Sequence, residues 1–252
     1  MKLEKIIDFM EELAPKEGAM EYDNVGLLVG RGEKEVTRVL TSLDCTLDVV
    51  REAKEKGCEA VVCHHPIMFG GVKKITDETK EGEMLLCAIE QGIAIYACHT
   101  NLDFAEGGLN DYFLEKIGYT ACGTILENEG RIFETGAVTV ADLCAKIKKA
   151  FDVPHLRVAG DTLRESAMGA LCTGSGKSLV HEAVQKADVY ITGDMGHHDI
   201  LSVVENGCAY IEISHYDSEK IAMELLKCKL SEKFPQLEVF MSQENKNPLT
   251  FV

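Results

Sequence analysis

Two histidines stand side by side in VVCHHPIMFGG (61–71), directly after an apolar run. An imidazole can bind a metal or carry a proton, so the residues grouped with it indicate which. Six of the eight histidines (64, 65, 99, 197, 198 and 215) fall just beyond apolar stretches that read as strands. Asp103 follows His99 by four residues, and Glu219 follows His215 by four. Imidazole with carboxylate suits Zn, Fe or Mn alike. Neighbouring side chains on a strand point to opposite faces, so the doublet predicts a fork in which each ring serves a different ion. Asp103 and Glu219 are then the carboxylates able to bridge, as a two-metal hydrolytic centre requires. His99, His197 and His198 remain for hydrogen bonding to the ligands or for proton transfer. Of these, His99 and His198 are the candidate catalytic groups, with Asp23 and Asp44 in supporting parts. His155 and His181 lie apart from this pattern, His181 on a surface-facing helix.

The elements that must position these residues alternate in α/β fashion. VTRVLTSLD (36–44) reads as a buried strand, CTLDVVREAKEKG (45–57) as a helix capped by Thr46, and CEAVVCHHP (58–66) as the next strand. A helix over 82–92 and a strand over 93–103 follow. Residues 104–135 are less regular, apart from a short helix over 111–118. TVADLCAKIKKAF (139–151) is an amphipathic helix with a Thr139 and Asp142 capping pattern. Strand and helix then alternate to a last strand over 237–242. Each half offers a His-His pair, a helix, and a strand ending in a histidine with a carboxylate four residues on, which reads as an internal duplication. The ligand crevice of an open α/β sheet lies at the carboxyl ends of its strands, where these histidines gather. The expected division is a first lobe over 1–126, to which the segment 237–252 returns, and a second over 127–236.

The chain has 252 residues and a formal net charge of −16, with 46% hydrophobic and 27% charged residues. That balance describes a soluble globular protein and opposes a nucleic-acid surface. No run reaches a membrane span, and the N-terminus lacks the apolar core of a signal peptide. Ten cysteines without a C-x-x-C pair suit a reducing cytoplasm. LCTGSGKSLV (171–180) fails as a phosphate-binding P-loop because Leu171 stands where its first glycine is needed. What remains is a glycine turn from strand to helix, either a tight turn alone or one whose N–H groups hold a phosphate or carboxylate.

EYDNVGLLVG (21–30), AVVCHHPIMFGGVKKI (60–75), YACHTNLDFAEGGLND (96–111), TGDMGHHDIL (192–201) and ISHYDSEK (213–220) resemble the signature blocks of the Nif-three-like dinuclear metal family, which includes the GTP cyclohydrolase I type 2 homologs. The resemblance implies two similar α/β lobes with a metal site in the cleft between them. It implies two divalent ions held by His64, His65, Asp103, His215 and Glu219, assembly into a homohexamer, and a small-molecule, nucleotide-like substrate. The chain is too short for the inserted middle domain of longer members. It departs from the pattern at Ser214, where glycine more often precedes the histidine, and at Asp217–Ser218, where alanine and threonine more often precede the glutamate. Two functions fit: a metal-dependent hydrolase such as a GTP cyclohydrolase, or a non-catalytic metal-binding, regulatory or scaffold ring.

Overall fold

The computed structural model describes residues 1–250. The chain opens with α1 (Leu3–Leu13) and β1 (Gly26–Val29). It continues through β2 (Arg38–Ser42), α2 (Leu47–Glu55), β3 (Ala60–Cys63), α3 (Lys80–Glu90), β4 (Ala94–Ala97) and α4 (Thr100–Phe104). The next stretch holds α5 (Leu109–Lys116), β5 (Ala121–Ile125), β6 (Gly130–Thr139), α6 (Val140–Phe151), β7 (Arg157–Ala159), β8 (Glu165–Ser175) and α7 (Val180–Lys186). After these come β9 (Val189–Asp194), α8 (His197–Glu205), β10 (Ala209–Glu212), α9 (His215–Glu219), α10 (Ile221–Lys233) and β11 (Glu238–Met241).

Two compact units result, 1–105 with 222–252, and 106–221. The first is built on a five-stranded sheet in the order β1-β4-β3-β2-β11. Its strands β11, β2, β3 and β4 run parallel, with β1 antiparallel at the edge. β3 and β4 are buried at every position, which explains why their sequences read as unbroken apolar runs rather than alternating ones. Leu40, Val61 and Ile95 pack with Val49 and Val50 of α2 and Leu85 and Ala88 of α3.

The second unit carries a six-stranded sheet in the order β5-β6-β8-β9-β10-β7. Its central strands β8, β9 and β10 are parallel, flanked by antiparallel neighbours on both sides. Tyr190 and Tyr210 are buried in its core with Ala170, Leu179 and Val203. α6 begins with the expected capping box between Thr139 and Asp142.

Three expectations change. Residues 104–135 are not mostly irregular: they hold α5 and the antiparallel β5–β6 pair, whose turn at Leu126–Asn128 uses positive φ without glycine and so carries little sequence signal. The unit limits differ from 126 and 236. α5 packs on β6 and β8, which places 106–126 with the second sheet. Thr41 of β2 donates its hydroxyl to the Met223 carbonyl of α10, and 222–236 belong to the first unit. Finally, the strands expected to run into HTNLD and SHYDSE stop early. β4 ends at Ala97 and β10 at Glu212, and the carboxylates Asp103 and Glu219 sit on the helical turns α4 and α9. A four-residue spacing places His215 and Glu219 on one face of α9, whereas His99 is the non-helical N-cap of α4 and Asp103 lies within that turn.

Candidate metal centre

In the first unit, β2, β3 and β4 deliver Asp44, the His64–His65 doublet and His99 at their carboxyl ends. The ladder continues just past β3, where His64 N–H donates to Ser42 and His65 N–H to Leu43. The chain then bends, so the two imidazoles do not diverge as expected of a strand: their ring centroids are 5.1 Å apart. His99 joins them, 5.2 Å from His64 and 5.4 Å from His65. One ligand nitrogen from each of the three lies within 4.8 Å of the others. This trio is a candidate metal-ligand group, and it brings in His99, expected instead to support the ligands or transfer a proton.

The protonation of these rings follows from their partners. His64 Nδ1 is 2.8 Å from the Cys98 carbonyl oxygen, which can only accept, so the proton sits on Nδ1. In the neutral ring Nε2 is then a lone pair, and it lies 3.6 Å from the Asp103 carboxylate inside a buried site. Two acceptors facing each other need a cation or a proton between them. His65 Nδ1 is held by Asp44 at 2.8 Å and His99 Nδ1 by Asp23 at 2.9 Å. A carboxylate or carbonyl on Nδ1 that turns Nε2 toward the centre is the usual arrangement around metal-binding histidines. The donor set therefore fits a divalent ion. The Cys98 thiol beside it is pushed well up by burial and stays protonated.

Asp23 is the most heavily bonded of these supports. It accepts from His99 Nδ1, from the Thr100 amide at 3.1 Å and from the Thr100 hydroxyl at 2.6 Å. Burial works to raise its pKa, but the hydrogen bonds and the nearby imidazole prevail and bring it down to about 2. A folded-state value below the ordinary 3.8 stabilises the fold above about pH 4, and that contribution fades as pH falls toward 2. Asp23→Asn is expected to cost about 1–2 kcal/mol near neutral pH and to flatten the acid limb of the stability profile. Urea titrations at pH 7 and pH 3 check this; an equal loss at both would rule out the charge as the cause.

In the second unit, α9 places His215 and Glu219 on one face, with Nε2 3.0 Å from the carboxylate. Asp194, at the end of β9, lies 3.1 Å from Nδ1. Asp194 first and Glu219 second drive the His215 pKa up to about 10. His215 and Glu219 thus bring an imidazole nitrogen and a carboxylate, both metal-ligating types, within hydrogen-bond distance of each other. His215 and Asp194 are 21 residues apart, as are His65 and Asp44. In each unit an aspartate lies at the end of one strand or two residues past it, a helix crosses over, and the histidine it holds follows the next parallel strand. The sequence named Asp44 as a support but missed Asp194, although both close an apolar run.

Gly174 in the glycine turn has φ +61°, and a Cβ there would collide with the Glu219 carboxylate. Gly176 is crowded by the Tyr190 hydroxyl, which donates to its carbonyl at 2.7 Å. These glycines permit close approach, and Gly174 gives Glu219 its room. His197 and His198, expected at a strand end, instead start α8 and are exposed, with ring centroids 5.4 Å apart. His181 is exposed on α7 beside Gln185.

Ser214, the N-cap of α9, has φ +80° and ψ 149°, a region almost confined to glycine. Its side chain accepts from the Asp217 amide. Replacing a cap serine with glycine costs only a few tenths of a kcal/mol, while relief of the strain is worth more. Ser214→Gly is thus expected to stabilise the protein by about 1 kcal/mol, a rise of roughly 2–4 °C in Tm; a lower Tm would show the strain argument to be mistaken.

A class emerges from this architecture: an α/β protein of two sheet-based units whose strand-end imidazoles and carboxylates form candidate metal-ligand groups. The chain belongs to the Duf34/NIF3 (NGG1p interacting factor 3) family, whose profile matches residues 1–248. It is 36% identical to the GTP cyclohydrolase 1 type 2 homolog of Clostridium perfringens, over 100% of both chains. It is also 36% identical to the protein of that name from Lactococcus lactis, over 97% of this chain and 98% of the other. Among solved structures, a Staphylococcus aureus hypothetical protein matches with a TM-score of 0.92 at 30% identity, covering 100% of this chain and 99% of that one. Reduced HcgD from Methanocaldococcus jannaschii matches with a TM-score of 0.86 at 29% identity, covering 96% and 98%. Among the described residues no helix is long and apolar enough to cross a membrane.

Proposed function

We propose that this chain is a dinuclear metal-dependent hydrolase acting on a nucleotide-like or phosphorylated small molecule. His64, His65, Asp103, His215 and Glu219 are assigned to two divalent ions, Zn, Fe or Mn. The observation that carries this reading is the facing of His64 Nε2 and the Asp103 carboxylate at 3.6 Å, with Nδ1 committed to a carbonyl. The half-site of His215 and Glu219, held by Asp194, supports the same reading. The names of the relatives point to ring-opening hydrolysis of GTP.

Divalent ions, when bound, supply the positive charge that acidifies water and polarises the scissile centre. The residues do the rest. Asp44, Asp194 and the Cys98 carbonyl hold three imidazoles in one tautomer and orientation. His99, backed by the Asp23 carboxylate, is assigned proton transfer. His198, exposed in the first turn of α8, is assigned to substrate contact. The assembly is assigned as a cytoplasmic homohexamer, which light scattering tests directly. Incubation of Zn-, Fe- or Mn-loaded protein with GTP and related nucleotides, followed by product chromatography, tests the activity. Ring-opened product is expected; full ion occupancy with no turnover in any metal form would assign the chain instead to a metal-binding ring without catalysis.

A further inference from the structure

Asp44 is poorly placed to steer His65 by packing, because its side chain is 48% exposed. What fixes it lies far along the chain. β11 pairs with β2 as far as Met241 opposite Thr41, and Ser242 N–H still donates to the Thr41 carbonyl. Where that ladder stops, the Asn245 side chain takes it over. Its oxygen accepts from Leu43 N–H at 2.8 Å, and its nitrogen donates to the Asp44 carbonyl at 3.0 Å. One buried amide thus closes both backbone groups of the loop that carries Asp44, while His65 N–H binds the Leu43 carbonyl at 2.9 Å. The segment is anchored in turn by buried Glu52 of α2, whose carboxylate accepts from the Ser242 hydroxyl at 2.6 Å and the Gln243 amide at 3.0 Å.

We propose that Asn245 is a positioning residue for the metal centre, acting through Asp44 on the orientation of His65. The inference rests on the assignment of His65 as a ligand. A backbone loop tied at both Leu43 and Asp44 holds the half-exposed carboxylate to one place, and a pre-oriented imidazole binds an ion without the entropy cost of ordering.

The test reconstitutes the full chain with Zn²⁺ and measures stoichiometry by elemental analysis and affinity by chelator competition. The variants are His65→Ala, Asp44→Ala, Asn245→Ala and Asp44→Ala with Asn245→Ala. Asn245→Ala is expected to weaken one of the two ions by roughly tenfold, within the range for supporting residues. On the Asp44→Ala background it should add less than about twofold, because its route to His65 is already cut. Wild-type affinity in Asn245→Ala, or a full tenfold loss added to that of Asp44→Ala, overturns the proposal. If Asn245→Ala does not fold, Glu52→Gln loosens the same segment without touching Leu43 or Asp44. An unchanged affinity there overturns it equally. His65→Ala separates the two readings: if it too keeps both ions, the ligand assignment has failed rather than the positioning role of Asn245.

Discussion

Replacing Glu219 with Ala is expected to remove at least one ion per chain and to weaken metal binding by more than ~100-fold, beyond the range seen for groups that only support a ligand. Glu219 is 2% exposed, sits beside Gly174, and lies 3.0 Å from His215 Nε2. Its loss deletes a carboxylate donor and also one of the two anions that hold the His215 pKa up near 10. In the metal-free variant His215 should therefore lose its proton at a lower pH, with Asp194 alone in support. Ala suits a helical turn, so the fold should survive, as circular dichroism would show. His65→Ala is expected to lose metal in the same way. Unchanged ion content by elemental analysis in both folded variants would defeat the ligand assignment.

His99→Ala is the second large effect. If His99 transfers protons, its removal should lower kcat by ~10²–10⁴-fold while both ions stay bound. The geometry makes this a sharp choice, because a His99 nitrogen lies within 4.8 Å of nitrogens of His64 and His65. Loss of an ion together with activity would make His99 a ligand instead. Retained ions with a fallen kcat and a steady KM would place it in the reaction. Asp23→Asn should follow in the same direction with a smaller loss, since Asp23 holds the His99 ring and does not reach past it.

Much of this was readable because it is local. Apolar runs end where strands end, so the residues after Cys63, Ala97 and Glu212 advertise themselves as crevice residues. The H-x-x-x-E spacing is one helical turn of α9 and the H-x-x-x-D spacing runs from the N-cap of α4 into its turn, each legible as four residues even where the element carrying it reads as a strand. The capping box of Thr139 and Asp142 needs only three residues of context. The β5–β6 turn, by contrast, takes positive φ at Leu126, Glu127 and Asn128, and of these only Asn128 is a type that favours it.

By itself the sequence determined the α/β class, the strand-end placement of the doublet and the kinds of donor atom available. Those follow from residue type and from periods of two and about four, which need no partner elsewhere in the chain. The tertiary structure decided which atom of each ring can face an ion. That depends on carboxylates and carbonyls 21 to 76 residues away: Asp44 for His65, Cys98 for His64 and Asp23 for His99. It also turned a doublet expected to diverge into rings 5.1 Å apart, and set Asn245 against Leu43 across 202 residues. Hydrogen bonds of that reach exist only once the sheet has brought its strand ends together.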